Sequence, residues 1–151
     1  MQRCALTSCG TTVKGRLKML TWKKEMDVNI ESIDVQHRTL IVLINELQHV
    51  IDNRMPDVMV GSILSKVIEY ARFHFEHEEN CLIVGCYAKL HEHRCAHNDL
   101  AKKLKSMEQD FNAGIPGIAP KVVELLQQWV ISHIMKTDSQ YSDQLMKAGL
   151  Q

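Results

Sequence analysis

The chain has 151 residues, of which 45% are hydrophobic and 24% are charged, and this balance fits one globular domain with its own core. Lys and Arg together number 18, as do Asp and Glu, so no net charge favours nucleic acid or an anionic membrane as a partner. The longest apolar run, residues 40–44, is too short to span a membrane, and residues 1–18 contain no signal-peptide hydrophobic region. We therefore expect a cytoplasmic protein.

The first half of the chain predicts an extension followed by two helices. Residues 1–18 are rich in Thr, Gly and Lys without sustained periodicity, so we expect a flexible N-terminal extension before one domain over residues 19–151. Apolar residues at helical spacing over 33–51 predict the first helix. Asp57 can cap the second helix, whose apolar stripe ends near Gly85.

The second half of the chain predicts two further helices. Apolar residues three and four apart over 90–111 indicate the third helix, which stops at the break formed by residues 114–117. Pro120 suits the first turn of a fourth helix, whose apolar stripe continues to Leu145. Short connections make neighbouring helices antiparallel, so the pattern predicts an all-α fold, an antiparallel up-down-up-down four-helix bundle.

Seven polar residues interrupt the apolar stripes at positions where a hydrophobic side chain is expected. They are His37 on the first helix, His74 and Glu78 on the second, His93 and His97 on the third, and His133 and Asp138 on the fourth. With a rise of about 1.5 Å per residue, each lies roughly 24 to 30 Å from the turn at one end of the bundle. The alternating helix direction therefore brings all seven to one level.

Metal binding is the interpretation that best explains these seven residues. Five imidazoles and two carboxylates exceed the needs of one tetrahedral ion, so we predict two metal ions in the bundle interior. Glu78 and Asp138 are the natural bridges, because each carboxylate offers two oxygens. Manganese or zinc could occupy the same donors. Glu76, His77 and Glu79 are expected on the solvated side or in contacts to the ligands.

The five cysteines predict reduced thiols rather than a disulfide framework, because their number is odd and their spacing is irregular. A zinc site using Cys81, Cys86 and Cys95 is disfavoured, because the C-x-x-C pairs typical of structural zinc are absent.

Four stretches of the chain resemble the bacterial single-domain hemerythrins. They are IDVQH at 33–37, HFEHEE at 74–79, HEHRCAH at 91–97 and WVISHIMKTD at 129–138. The resemblance covers about residues 19–147 and includes all seven positions of the family's ligands. It implies a non-haem centre of two iron ions with an oxo or hydroxo bridge. In that centre His93, His97 and His133 would bind one iron, His37 and His74 the other, and Glu78 and Asp138 both.

The resemblance also implies a function, which is reversible dioxygen binding for oxygen storage or delivery. Dioxygen would occupy the vacant position on the iron with two histidines, in an apolar pocket lined by Leu40, Phe75, Trp129 and Met135. Such a protein turns over no substrate, although a weak oxidase or peroxidase side activity is compatible with it.

Two other function classes stay open at this point. One is an oxygen or redox sensor that acts through a separate protein partner, because the chain has no additional output domain. The other is di-iron chemistry on peroxide or nitric oxide, or iron homeostasis. The sequence contains no positioned acid, nucleophile or substrate pocket that would favour this second class.

Overall fold

A computed structural model describes residues 18–151, and these residues are almost entirely helical. The four long helices are α1 (Glu31–Asp52), α2 (Asp57–Val84), α3 (Leu90–Asn112) and α4 (Ile118–Lys136). A 3₁₀ turn at Lys24–Met26 precedes them, and a second at Asp138–Gln140 leads into the short helix α5 (Ser142–Lys147). The expected flexible extension, residues 1–18, lies outside the described residues except for Lys18.

The long helices form a closed ring of neighbours. Helix α1 packs against α2 and α4, and α3 packs against the same two helices. Residues 53–56, 85–89 and 113–117 make short links between successive helices, which therefore run antiparallel. The predicted four-helix bundle is confirmed. Within residues 18–151, no helix is both long enough and apolar enough to cross a lipid bilayer.

The segment before α1 is tied to the bundle by paired hydrogen bonds. The backbone N–H of Leu20 donates to Asn45 Oδ1, and Asn45 Nδ2 donates to the Leu20 carbonyl, both at 2.8 Å. The Asp34 carboxylate accepts from the backbone N–H groups of Val28 at 2.8 Å and Asn29 at 3.1 Å. These bonds satisfy backbone donors just ahead of the helix and fix the path by which the chain enters α1.

Two details of the helix boundaries differ from the sequence-based expectation. Asp57 does not cap α2, because Pro56 occupies the N-cap position and Asp57 is already the first helical residue. The fourth helix does not continue to Leu145 but ends at Lys136. Asp138 follows His133 by five positions, which in one continuous helix would place the two side chains about 140° apart. The break at Thr137 lets both side chains face the interior.

The α2–α3 link depends on a glycine. Gly85 follows the last residue of α2, as the sequence predicted, and a Cβ atom there would overlap the side chain of Leu145. Leu145 belongs to a second buried cluster, together with Val28, Ile33 and Leu82, at the end of the bundle that contains this link. The glycine therefore lets α5 pack closely against this end of the bundle.

Candidate metal centre

All seven predicted donor side chains lie together in the interior of the bundle. Their exposed fractions range from 0% for Glu78 and Asp138 to 6% for His133. The three-histidine group consists of Glu78, His93, His97 and His133, and one potential ligand atom from each lies within 4.8 Å of the others. The two-histidine group consists of His37, His74 and Glu78 and meets the same criterion. Glu78 is common to both groups.

Distances within the three-histidine group are short. Glu78 Oε2 lies 3.0 Å from His93 Nε2 and 3.1 Å from His97 Nε2. The Nε2 atoms of His97 and His133 are 3.2 Å apart. Three ring nitrogens and a carboxylate oxygen directed at one another form a set of donors that a cation can share.

The two-histidine group is more open. His37 Nε2 lies 3.9 Å from Glu78 Oε1, and His74 Nε2 lies 4.0 Å from Glu78 Oε2. This group therefore offers fewer donors at longer distances than its neighbour.

Asp138 lies between the two groups with one oxygen toward each. Its Oδ1 is 3.1 Å from His133 Nε2 and 3.6 Å from His93 Nε2, whereas its Oδ2 is 3.4 Å from His37 Nε2. Asp138 and Glu78 together have the placement expected of carboxylates that bridge two ions.

Unpaired polar atoms show that the residues fit a bound cation. Within residues 18–151, His37 Nε2 and both carboxylate oxygens of Asp138 are buried without a hydrogen-bond partner. Such atoms are rare in proteins, because each one that loses water without a replacement partner destabilises the fold. A metal ion bound to these atoms would replace the missing partners.

The pKa shifts of His74 and Glu78 favour the protonation states that bind metal. Those of His37 and His93 run the other way, because burial is outweighed by nearby carboxylates, which raise the pKa of both imidazoles. Burial lowers the pKa of His74 to about 3, which keeps its imidazole neutral. Burial works against ionisation of Glu78, but hydrogen bonds from His93 and His97 outweigh it and hold the pKa of this carboxyl well below its usual range. A neutral imidazole and an ionised carboxylate are the ligand forms of these side chains.

Further side chains hold the donors in place. His74 Nδ1 lies 3.1 Å from Gln36 Oε1, and His97 Nδ1 lies 3.0 Å from Glu79 Oε1. Both oxygens can only accept, so Nδ1 carries a proton in each ring, and a neutral ring then has at Nε2 the lone pair that a metal ion needs. The Tyr141 hydroxyl donates to Glu78 Oε1 at 2.5 Å. The sequence analysis allowed for a contact between Glu79 and the ligands. It did not predict that Gln36 and Tyr141 contact ligand side chains.

The chain matches the Hemerythrin HHE cation binding domain over residues 28–145, which include all seven donors. The chain belongs to the hemerythrin family. It is 30% identical over 129 residues to Bacteriohemerythrin of Stenotrophomonas maltophilia (strain R551-3), covering 85% of this chain and 83% of that protein. It is 28% identical to Bacteriohemerythrin of Clostridium acetobutylicum, covering 83% of this chain and all of that protein. A crystal structure of wild-type hemerythrin superposes with a TM-score of 0.79 at 26% identity, covering 85% of this chain and 98% of that one.

In this hemerythrin, aromatic rings cover the three-histidine group. The ring of Phe75 stacks on His97 at a centroid distance of 3.9 Å, and that of Trp129 stacks on His133 at 4.0 Å. Leu40 is also buried, at 2% exposure. Met135, the fourth residue expected to line the oxygen pocket, has a side chain that is 41% exposed, and its place in the pocket stays a prediction. It follows His133 by two residues and so points about 200° away around the helix.

An open groove between α2 and α3 reaches the edge of the centre. Its volume is about 840 Å³, and its lining includes Phe75, His97 and Glu79. Arg72 and Arg94 lie along the same groove. The outer edge of His97 is therefore the part of the three-histidine group nearest to this opening.

The described cysteines take no part in the centre. Cys81, Cys86 and Cys95 are free thiols, and neither candidate cation cluster among residues 18–151 includes one of them. Cys4 and Cys9 lie outside the described residues.

Proposed function

We propose that this hemerythrin holds two iron ions and binds dioxygen reversibly, for oxygen storage or delivery. His93, His97 and His133 would hold one ion and His37 and His74 the other. Glu78 and Asp138 would bridge them. When bound, the two ferrous ions would supply the electrons for reversible dioxygen binding. The observation that carries this proposal is the division of the donors into two groups that share Glu78, with one Asp138 oxygen facing each group.

The unequal donor number of the two groups supports ligand binding at the two-histidine group. Three imidazoles serve one ion, whereas two serve the other, so the second ion would have a coordination position left for dioxygen. We place dioxygen there for this reason. The proposal also draws on the family, whose bacterial members this chain resembles along most of its length.

The surroundings of the centre support binding without further reaction. The ring centroid of Phe75 lies 5.8 Å from that of His74, and the side chains of His37 and His74 are only 1% and 2% exposed, so the two-histidine group is shielded from bulk water. A dry, apolar cover slows the entry of water and the loss of a reduced oxygen species from the site. Protein donors rich in imidazole and poor in carboxylate also favour binding over the oxidative chemistry of carboxylate-rich di-iron sites. We therefore propose a carrier rather than an enzyme.

Anaerobic loading of the reduced protein with ferrous iron tests the proposal. We expect two irons per chain by metal analysis, and a charge-transfer absorption that appears in air and disappears when the solution is purged with argon. Irreversible bleaching with release or consumption of peroxide would overturn carriage and indicate an oxidase.

Replacement of the shared carboxylate tests the arrangement of the site. Glu78→Ala should lose at least one ion, because the residue belongs to both groups. Glu76→Ala is the matched control, since this exposed glutamate lies two residues away on the same helix. It should keep both ions. Retention of two irons by Glu78→Ala would contradict the assignment of Glu78 as a bridge.

A further inference from the structure

The two histidine groups differ in the chemistry of the side chain behind their ligands. In the part of the chain that the structure describes, two of the five donor histidines have a side-chain hydrogen bond at Nδ1. His74, in the two-histidine group, is paired with the neutral amide of Gln36. His97, in the three-histidine group, is paired with the carboxylate of Glu79. The charge behind the imidazole therefore differs between the two halves of the centre.

The carboxylate of Glu79 is held firmly for a residue near the surface. Its Oε1 accepts from His97 Nδ1 at 3.0 Å, while its Oε2 accepts from Arg94 Nε at 3.0 Å. The Glu79 side chain is 20% exposed and that of Arg94 is 43% exposed, so the ion pair alone contributes little to stability. The contact with His97 is different, because that ring is 2% exposed and faces the interior.

The carboxylate of Asp34 lies near the two-histidine group, but its hydrogen bonds go to the backbone and not to a donor imidazole. The charge of Asp34 acts on His37. Both oxygens of Asp34, however, accept hydrogen bonds from the backbone N–H groups of Val28 and Asn29. Asp34 therefore anchors the segment before α1 and makes no hydrogen bond to a donor imidazole, unlike Glu79.

We propose that Glu79 is a positioning residue that orients His97 and makes the three-histidine group the half of the centre that more strongly stabilises ferric iron. A carboxylate that accepts the Nδ1 proton makes the imidazole more basic and therefore a stronger donor to metal at Nε2. The added negative charge favours the higher charge on the metal. The inference rests on the proposed iron centre and adds a difference between its two ions.

The expected size of the effect follows from other metal sites. Loss of such an outer partner lowers metal affinity by about 10- to 100-fold. If ferric iron loses about tenfold more affinity than ferrous iron, the midpoint potential of that one-electron step rises by about 59 mV. The two halves of the centre should respond in opposite directions when a carboxylate is removed from one or added to the other.

Three variants test this inference. Glu79→Gln keeps the shape of the side chain and removes its charge, so it should raise the midpoint potential and lower cobalt(II) affinity at the three-histidine group about tenfold or more. Gln36→Glu places a carboxylate behind His74 and should lower the potential of the other half. Glu76→Gln is the control, because it removes the same charge from an exposed residue on the same helix that lines the same groove. It should leave cobalt(II) affinity within about twofold of the wild type and the midpoint potential within about 18 mV, which is the same factor at about 59 mV per tenfold.

The measurements are spectroelectrochemical titration of the iron-loaded proteins and cobalt(II) competition with a chelator, after circular dichroism has verified the fold. A Glu79→Gln protein with the potential and cobalt affinity of the wild type would overturn the inference, even where Gln36→Glu fails to fold. Equal shifts in Glu79→Gln and Glu76→Gln would also overturn it, because they would show a general charge effect. Cobalt affinity needs no dioxygen, so this result stands apart from the test of reversible oxygenation.

Discussion

In the half of the bundle near the α1–α2 link, the buried residues are apolar except for the hydrogen-bonded glutamines Gln48 and Gln127, whereas in the other half the same inward-facing stripes carry histidine, glutamate and aspartate. Leu47, Leu64 and Leu126 are fully buried in the apolar half. Glu78 and Asp138 are just as fully buried in the polar half. The two halves therefore exclude water equally but obtain their stability in different ways.

The buried side chains of the apolar half need no further partner, whereas the polar half contains buried polar atoms that lack one in the described part of the chain. Burial of a leucine side chain contributes roughly 1.5–3 kcal/mol and needs no directed partner. In the polar half, His37 Nε2 and the two oxygens of Asp138 lack hydrogen-bond partners among residues 18–151. Each unpaired buried group destabilises the fold by about 1–3 kcal/mol. The comparison predicts that metal stabilises one end of the molecule and that leucine packing stabilises the other.

Of the changes considered, removal of metal should cause the largest difference in stability between the two halves of the bundle. An ion present at about a thousandfold its Kd stabilises the folded state by about 4 kcal/mol, so chelation of two ions should lower the free energy of unfolding by at least that amount. Hydrogen exchange should rise mainly around residues 33–40, 74–82, 90–97 and 133–145, where the donors and their neighbours lie. Hydrogen exchange monitored by mass spectrometry of metal-free and iron-loaded protein checks this. A uniform rise along all four helices would show that the two halves unfold together.

Truncation in the apolar half should have a large effect that is independent of metal. Leu64 is 0% exposed, so Leu64→Ala should destabilise the protein by about 2–5 kcal/mol through lost burial and a residual cavity. Urea unfolding measures this change, and iron content should stay at two per chain. Val58→Ala is the control on the same helix, because Val58 is 82% exposed and should change stability by less than about 0.5 kcal/mol. Loss of iron from Leu64→Ala would contradict the independence of the two halves.

The sequence was sufficient for the architecture because the apolar stripes are long and their ends are marked. Pro56, Gly85 and the 114–117 break each interrupt a stripe of period 3.6, and the observed helices end within a few residues of them. The level of the seven donors could also be predicted. Histidines and carboxylates on the buried side of four helices have few explanations, and helical rise converts their positions into depth.

The features that the sequence did not predict depend on tertiary contacts. The break after Lys136 has no glycine or proline at residues 137–141, and its only local signal is the weak one of Thr137, Asp138 and Ser139, whose side chains favour turns and caps. Tyr141 fitted the apolar stripe of the fourth helix, and its bond to Glu78 joins residues 63 positions apart. Met135 was assigned by position in the resemblance, whereas its exposure depends on the orientation of α4. Periodicity reports which face is buried and does not report which side chains meet there.

The smallest predicted effect concerns the hydroxyl by which Tyr141 links the second buried cluster to the centre. Tyr141→Phe keeps the ring, which packs 6.0 Å from that of Tyr87 and 5.8 Å from that of His93, and removes only the donor to Glu78. A hydrogen bond to a charged group contributes about 1.5–3 kcal/mol, and retained packing places the expected loss near 1.5 kcal/mol in the metal-free protein.

Bound metal should reduce that loss, because an ion at Glu78 would balance the carboxylate charge that the hydroxyl stabilises. Urea unfolding of both forms checks the difference, with Tyr87→Phe as the control that keeps the ring pair and leaves the bond to Glu78 in place. Release of iron to a chelator should also be faster in Tyr141→Phe, since the bridging carboxylate loses one of the contacts that orient it. Equal destabilisation with and without metal would mean that the hydroxyl stabilises the fold alone and that the polar half does not depend on its ions in the manner proposed.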